Sequence, residues 1–494
     1  MAIIEKEANM SCHISRRDFM AASAAGGSLA VLNPSSGTGP AGQEQYREHT
    51  RVYTLFTTGT DPKWPCPDID PGAESRAYLA ELSKLAELWK ARNRKSGFSV
   101  EFVGGDVLKS DEDLAACARK LHDVDGVLIF ALSIPDGGLT EKTLSLAPPK
   151  IFYFPSPSTA GFITVARVVR EGQQADLVHS SDLGEIEPHI RTLDTMRRLR
   201  QTRVLCLSSR SGKAEGYNPE KMRQNFGITV KSLDFTRLNQ LMDSADSRVA
   251  ERNADEFIAG SVRMVEPTRE EIILSEKFYL AVKQLLKEEN ATVITIDCLP
   301  GFYSGQLRAY PCVAWTRLLD EGLTGVCEAD LQSTLMSLIL QYYTGGKPGF
   351  VSDPFFDTSQ NTITYAHCVA ATRMNGPTGP ALPYILRSHM EDNKGVSLQV
   401  EMPEGQVLTT AQIINCDTVI YHTARVIGNS DSPRGCRTKP VCRLIDPWSE
   451  AELSADKLLH NWQGPWHKVS FFGNYAADLE KMSRLMGFKL IREI

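Results

Sequence analysis

Alternation constrains this chain most. Short apolar runs of strand character are separated by helical periods through the first three hundred or so residues. Val52–Thr57, Val100–Val103, Val127–Leu132 and Ile151–Phe154 read as buried strands. Between the first three lie a helix carrying Leu79, Leu82, Ala86 and Trp89 on one face and a shorter helical stretch, Asp111–His122. Strands that alternate with helices fold as a parallel sheet covered on both faces. Such a sheet binds ligands beyond the carboxyl ends of its strands. The loop Thr57–Pro71 follows the first strand and carries Trp64, so it is either a sugar-site border or an ordinary surface loop.

The alternation restarts near Arg203. Val204–Leu207, Ile228–Val230 and Thr292–Ile296 read as strands, and Thr268 and Glu271 form a capping box ahead of Leu274, Phe278, Ala281 and Leu285. Asp297, at a strand end, serves either a site or the following turn. Gly212-Lys213 lacks the hydroxyl residue of a phosphate loop, and no GxGxxG follows a strand, so neither a nucleotide loop nor a nicotinamide cofactor is indicated.

From about Pro380 the period changes to two. Val396, Leu398, Val400 and Met402 alternate with Ser397, Gln399 and Glu401, as in a half-buried strand. Gln406–Ile414, Thr418–Val426 and Val441–Ile445 follow, then the strand His467–Phe472 and a closing helix, Ala477–Met486. These strands predict an antiparallel sheet or small barrel. The expected fold class is therefore α/β: two Rossmann-like parallel α/β domains followed by a β-rich C-terminal domain. The expected boundaries are 46–195, 196–345 and 346–494, after an N-terminal segment, 1–45.

The candidate site lies where the two patterns meet, between Gly325 and Cys368. Glu328, Asp353 and His367 are too widely spaced for one chelating loop or one helix face, and suit delivery from the ends of successive elements. Asp330 is placed to cap a helix whose Leu331, Leu335, Leu338 and Tyr342 share a face. Gly345-Gly346 stops that helix, and Pro348 keeps it from resuming. Pro354 biases Asp353 toward extended backbone. Thr362–Tyr365 has the β-branched content of a strand, with His367 just past it.

Glu-Ala-Asp at 328–330 opening a helix, an aspartate after a Gly/Pro-rich turn, and Ala-His-Cys at 366–368 ending a strand resemble the C-terminal half of the L-fucose isomerase and L-arabinose isomerase superfamily. The resemblance covers about Ile294–Met374, Arg387–Gln412 and Trp466–Gly487. It implies an aldose–ketose isomerase with a divalent metal, usually Mn²⁺. It implies that Glu328 and Asp353 bind the metal and act as acid/base groups, that His467 is a further ligand, and, from the arabinose branch, that His367 is another. His389 lies in a similar segment and is a candidate substrate contact. Asp330 is expected to cap its helix or to orient a ligand rather than to bind metal. His422 and His460 read as structural. The family assembles into oligomers, so a homo-oligomer is expected.

Two carboxylates with imidazoles favour a hard or borderline divalent ion over thiolate-held zinc. The same two carboxylates would also serve a glycoside hydrolase as acid and nucleophile or base. A sugar-binding protein without turnover is the third reading.

Ser15-Arg16-Arg17-Asp18-Phe19-Met20 has the form of a twin-arginine signal core, and a mildly apolar Ala/Gly-rich run follows. Export through the twin-arginine translocase is the expectation, to the periplasm or another extracytoplasmic space. The run is too short to span a membrane, and no later stretch is long and apolar enough. The net charge of −6 gives no reason to expect a nucleic-acid partner; the expected partner is a small sugar. Eleven cysteines without C-x-x-C spacing point to no disulfide framework and no structural zinc. Cys327 and Cys368 are expected as small buried side chains.

Overall fold

In the computed structural model, residues 47–59, 70–94, 96–133, 136–157, 161–208 and 218–494 are described. The twin-arginine segment, Trp64 and Gly212-Lys213 lie outside them. The first sheet contains β1 (Thr50–Thr57), β2 (Val100–Leu108), β3 (Gly126–Ala131), β4 (Lys150–Pro155) and β5 (Ala175–Ser180), in the order β2-β1-β3-β4-β5. Every pairing is parallel. Strands β1, β3 and β4 are almost wholly buried, as near-continuous apolar runs in a covered parallel sheet must be. The sequence reading missed β5, because ADLVHS is short and half polar.

The helix that carries Leu82 and Trp89 runs over Pro71–Arg92, and Asp70 accepts from the Gly72 and Ala73 amides at its start. Its Leu82 and Trp89 are buried on the sheet. The expected stretch Asp111–His122 is broken: an α-helix covers Asp111–Ala118 and a 3₁₀ turn follows at Leu121–Asp123.

The second sheet, β10-β9-β6-β7, is also all parallel. Its strands are β6 (Arg203–Leu207), β7 (Thr229–Leu233), β9 (Val293–Ile296) and β10 (Thr324–Cys327). The Thr268/Glu271 capping box is formed in both directions and opens the helix Arg269–Glu288. Gly325 in β10 lies against an indole: a Cβ there would meet Trp315 at 2.6 Å, so the strand can approach that ring only without a side chain. Asp297 follows β9 and accepts from the Ser208 hydroxyl at 3.2 Å rather than capping the turn helix behind it.

The C-terminal third forms a barrel. It contains β11 (Phe350–Asp357), β12 (Thr362–Ala366), β15 (Val407–Ile414), β16 (Thr418–Asn429), β17 (Pro440–Ile445) and β18 (Lys468–Phe472). They run β15-β18-β11-β12-β17-β16, and β16 pairs back with β15 to close the ring. All six pairings are antiparallel. The helix Ala476–Met486 does not end the fold, as expected from sequence; β19 (Lys489–Arg492) follows and joins β16 in parallel.

A small sheet, β14-β13-β8, sits beside these. It consists of β8 (Arg263–Met264), β13 (Tyr384–Arg387) and β14 (Ser397–Val400). Here the expected half-exposed alternation fails: Ser397 and Gln399 are as buried as Leu398 and Val400. Both polar side chains can enter the interior because each finds partners. Ser397 donates to the Ser388 carbonyl, and Gln399 bonds Arg387 and Asp431.

The helix Leu331–Tyr343 links the second sheet to the barrel. It begins at the end of β10, and its Leu335, Met336 and Ile339 share one core with Ala411 of β15 and Val469 and Phe471 of β18. It ends at Tyr343, with Gly345 and Gly346 both at positive φ. This packing fixes the β10 terminus against the barrel wall.

Candidate metal centre

Glu328 is presented by strained backbone. Strand β10 stops at Cys327, and the next two residues have φ of 62° and 52°. Two successive non-glycine residues in the left-handed region cost about 1–2 kcal/mol each, and such strain clusters at functional sites. Two hydrogen bonds hold the turn: the Ala329 amide donates to the Ile296 carbonyl at 3.0 Å, and the Asp330 amide to the Cys327 carbonyl at 3.2 Å. The result turns the Glu328 carboxylate outward past the end of a parallel strand, where an α/β sheet presents its site.

Asp330 performs two tasks. One carboxylate oxygen accepts from the Ser333 amide at 2.9 Å, capping the helix; the other accepts from the Ser333 hydroxyl at 2.5 Å and lies 2.8 Å from Nδ1 of His467. The Gln412 amide closes the circuit, donating to Ser333 Oγ at 2.9 Å and to the His467 carbonyl at 3.0 Å. Burial opposes ionisation of Asp330, yet the bonds from His467 and Ser333 hold its pKa below the ordinary carboxylate value. The circuit orients the His467 ring from behind, as carboxylates behind metal-binding imidazoles do.

On its other side, Nε2 of His467 lies 3.2 Å from Asp353 Oδ1 and 3.9 Å from Glu328 Oε1. Burial works against the imidazolium, but hydrogen bonds to Asp330 and Asp353 and the charges of Asp353 and Glu328 raise its pKa well above 6.5. The barrel register explains the meeting. Ser352 pairs with Lys468, so the next step of the ladder sets Asp353 opposite His467. Asp353 is half-buried within β11, its extended backbone as expected ahead of Pro354.

His367 completes the group. It follows β12 and is tied to Thr438 by reciprocal backbone bonds of 3.1 and 2.9 Å. Its ring is perpendicular to that of His467, with centroids 5.6 Å apart and an interplanar angle of 72°. Burial pushes its pKa below 6.5, so it is held neutral. Its Nδ1 is buried and has no hydrogen-bond partner.

One ligand atom each from Glu328, His367 and His467 lies within 4.8 Å of the others. That spacing, a neutral imidazole with an unpartnered nitrogen, and a carboxylate-rich face fit a divalent cation with oxygen and nitrogen ligands. The structure thus brings together Glu328, Asp353, His367 and His467, residues spread over four elements.

His389 is placed differently. It is buried and stacked on Tyr310 with centroids 4.2 Å apart, and its Nδ1 has no hydrogen-bond partner. His422 is structural, in a sealed network with Tyr365 and Glu493; His460 is exposed. Cys327 and Cys368 are buried free thiols. Ser333 and Gln412 were missed from sequence. The Asp-x-x-Ser spacing carries a local signal for Ser333, while Gln412 occupies one of a run of buried strand positions and carries none.

No family model matches the chain. Among curated proteins, it is 21% identical over 316 residues to the sulfoquinovose isomerase of Priestia megaterium, covering 58% of this chain and 70% of the relative. The sulfoquinovose isomerase of Alkalicoccus urumqiensis is 22% identical over 185 residues, covering 36% and 41% of the two chains. That of Clostridium sp. is 28% identical over 158 residues, covering 31% and 34%. These similarities support a sugar isomerase family.

Proposed function

We propose that this protein is a metal-dependent aldose–ketose isomerase acting on a free monosaccharide. The observation that carries the reading is the convergence of Glu328, His367 and His467, with Asp353 against His467, at the end of a parallel strand. The sulfoquinovose isomerase relatives support the same reaction class.

Glu328, Asp353, His367 and His467 would hold the cation, with Mn²⁺ the best match to their oxygen and nitrogen donors. When bound, it supplies Lewis-acid polarisation of the substrate oxygens. The remaining chemistry belongs to the side chains. One carboxylate removes the proton from C2 of the open-chain sugar and returns it to C1, by way of an enediolate. The other moves the proton between the two hydroxyl oxygens. Asp330 keeps the His467 ring oriented, and His367, neutral and buried, contributes a lone pair without a competing proton.

The decisive experiment is metal analysis of the purified protein with an activity screen over free aldoses and aryl glycosides, before and after chelation. Interconversion of an aldose and its ketose, lost with chelator and restored by Mn²⁺, is expected. Cleavage of glycosides that is indifferent to chelation would overturn the reading in favour of hydrolysis.

Export by the twin-arginine route and assembly into a homo-oligomer belong to the same proposal. The first rests on Arg16-Arg17 and the run that follows, the second on the resemblance to oligomeric isomerases. No helix among the described residues is long and apolar enough to cross a membrane.

A further inference from the structure

Glu328 stands at one end of a row. Leu207 pairs with Ile296 across β6 and β9, and Ile296 pairs with Cys327 across β9 and β10. The next step of both ladders brings Ser208, Asp297 and Glu328 side by side, at the carboxyl ends of three adjacent parallel strands. The Ser208 hydroxyl donates to Asp297 Oδ2 at 3.2 Å, so these two side chains share a face of the sheet. Strands β9 and β10 are neighbours, and no strand separates Asp297 from Glu328. The Ala329 amide ties the Glu328 turn to the Ile296 carbonyl, one residue before Asp297, at 3.0 Å.

The other end of the row is the switch point of this sheet. From β6 the chain moves outward to β7 on one side and returns to β9 on the other. The loops that leave β6 and β9 therefore diverge, and open α/β sheets bind ligands in the crevice between such loops. Ser208 and Asp297 begin those two loops. The candidate metal position is one strand away, at the end of β10.

The local structure gives Asp297 no simpler task. It occupies the N-cap position of the short helix Cys298–Tyr303, yet its side chain makes no bond to that helix. An aspartate cap would contribute about 1 kcal/mol, and this one reaches across to β6 instead. Asp297 is 5% exposed, whereas the Glu328 side chain keeps 24% of its surface, so the row opens to solvent at the Glu328 end. A carboxylate in such an enclosed place is a strong acceptor for hydroxyl hydrogens. A sugar with O1 and O2 at Glu328 has its next hydroxyls, on C3 and C4, within one strand spacing of them, about 4.8 Å.

We propose that Asp297, positioned by Ser208, is a substrate-binding and specificity-determining residue. It accepts the hydroxyl hydrogen on C3 or C4 of the sugar whose carbonyl end lies at Glu328 and Asp353. The inference rests on the isomerase reading for the placement of the carbonyl end. A site built to bond a hydroxyl rejects an analogue that lacks it far more strongly than a site that only makes room for it. Asp297 thus extends selection beyond the two reacting carbons.

The test uses the full-length protein at saturating Mn²⁺, with Asp297→Ala, Asp297→Asn and Ser208→Ala variants. D-Glucose, D-mannose, D-galactose and L-fucose are screened, and the one that binds best is compared with its 3-deoxy and 4-deoxy analogues by calorimetric Kd and by kinetics. Asp297→Ala should raise Kd and KM for the parent sugar about 10- to 100-fold, the scale of one charge-assisted hydrogen bond, with little change in kcat. For one of the two deoxy analogues the wild type and Asp297→Ala should bind alike, because the hydroxyl that Asp297 holds is missing. That analogue identifies the hydroxyl. Asp297→Asn keeps an acceptor and should recover part of the loss, and Ser208→Ala should show a smaller loss with the same dependence on the sugar. Should Asp297→Ala fail to fold, Asp297→Asn carries the test, with a shift confined to sugars that have the hydroxyl.

Equal losses for the parent and both deoxy analogues, or unchanged sugar constants in every variant, would overturn the proposal. A loss of Mn²⁺ affinity with sugar constants unchanged at saturation would do so too, by showing that Asp297 acts on the cation alone. Tight binding of the parent sugar without interconversion would sink the isomerase reading, while the Kd comparison still decides the role of Asp297. Interconversion that Asp297→Ala leaves untouched would do the reverse. Binding of none of the four sugars would overturn both.

Discussion

Nε2 of His467 lies 3.2 Å from Asp353 Oδ1, across two barrel strands whose register sets the two residues opposite each other, although 114 positions separate them in the chain. The contact places one imidazole between a carboxylate that caps a helix and two that face the candidate metal position. Its consequences can be measured.

Glu328→Gln and Asp353→Asn should each lower kcat/KM by about a thousandfold or more, because each removes a charge facing the cation and an acid/base group together. The double variant should be scarcely worse than either single one, since the residues act as a unit. Steady-state kinetics on all three variants checks this; fully multiplicative losses would show independent roles.

Asp330→Asn should weaken Mn²⁺ binding about 10- to 100-fold while leaving a folded protein, the effect of losing the group that orients a metal-binding imidazole. His467→Ala should weaken it further, with partial recovery of activity in excess Mn²⁺. Metal titrations followed by calorimetry read both. Unchanged affinity in Asp330→Asn would reduce that residue to a helix cap.

Metal binding should release a proton. In the metal-free protein the His467 pKa stands well above 6.5, burial being outweighed by Asp330, Asp353 and Glu328. A raised folded value means that this interaction stabilises the metal-free fold below about pH 6.5 and that the contribution is lost as pH rises through the folded pKa. The ligand form is unprotonated, so Mn²⁺ affinity should climb with pH, with release of about one proton near neutrality. Titrations in two buffers of different ionisation enthalpy give that number directly, and a value of zero would contradict the assignment.

Acid should destabilise the barrel through Glu493. This carboxylate is buried with Lys468 Nζ at 2.7 Å and His422 Nδ1 at 2.8 Å. Burial opposes its ionisation, but those partners hold its pKa down to about 2. A depressed carboxylate stabilises above its unfolded value of 4.5 and loses that contribution as pH falls toward 2. His422, whose pKa burial lowers, adds to the loss as pH falls through 6.5, because the unfolded chain then binds the proton more readily. Glu493→Gln should cost about 3–5 kcal/mol at neutral pH, the scale for breaking a buried ion pair, and should flatten the acid limb of the stability profile. Denaturant unfolding between pH 3 and 8 reads both.

Replacing Arg16 and Arg17 with Lys should leave the protein in the cytoplasm. Cell fractionation checks this, and normal export of the double variant would contradict the signal assignment.

What the sequence determined by itself is what local physics writes into short windows. The change from βα alternation to a period of two named the fold class. The Thr268/Glu271 capping box and the Asp330 cap appear where their spacing placed them. Glu328 and His367 stand at strand ends because the apolar runs stop there, and the resemblance singled out the four residues that come together. The failures mark where local signals end. Ser397 and Gln399 have the composition of a solvent face, but their neighbours turned out to be hydrogen-bonding partners. Strand β19 and the barrel closure of β15 on β16 depend on pairings between distant segments. Only the tertiary structure decided that His467 meets Asp353 and that Asp297 stands beside Glu328, because register is a relation between strands, and no strand contains the information about which residue will lie opposite its own.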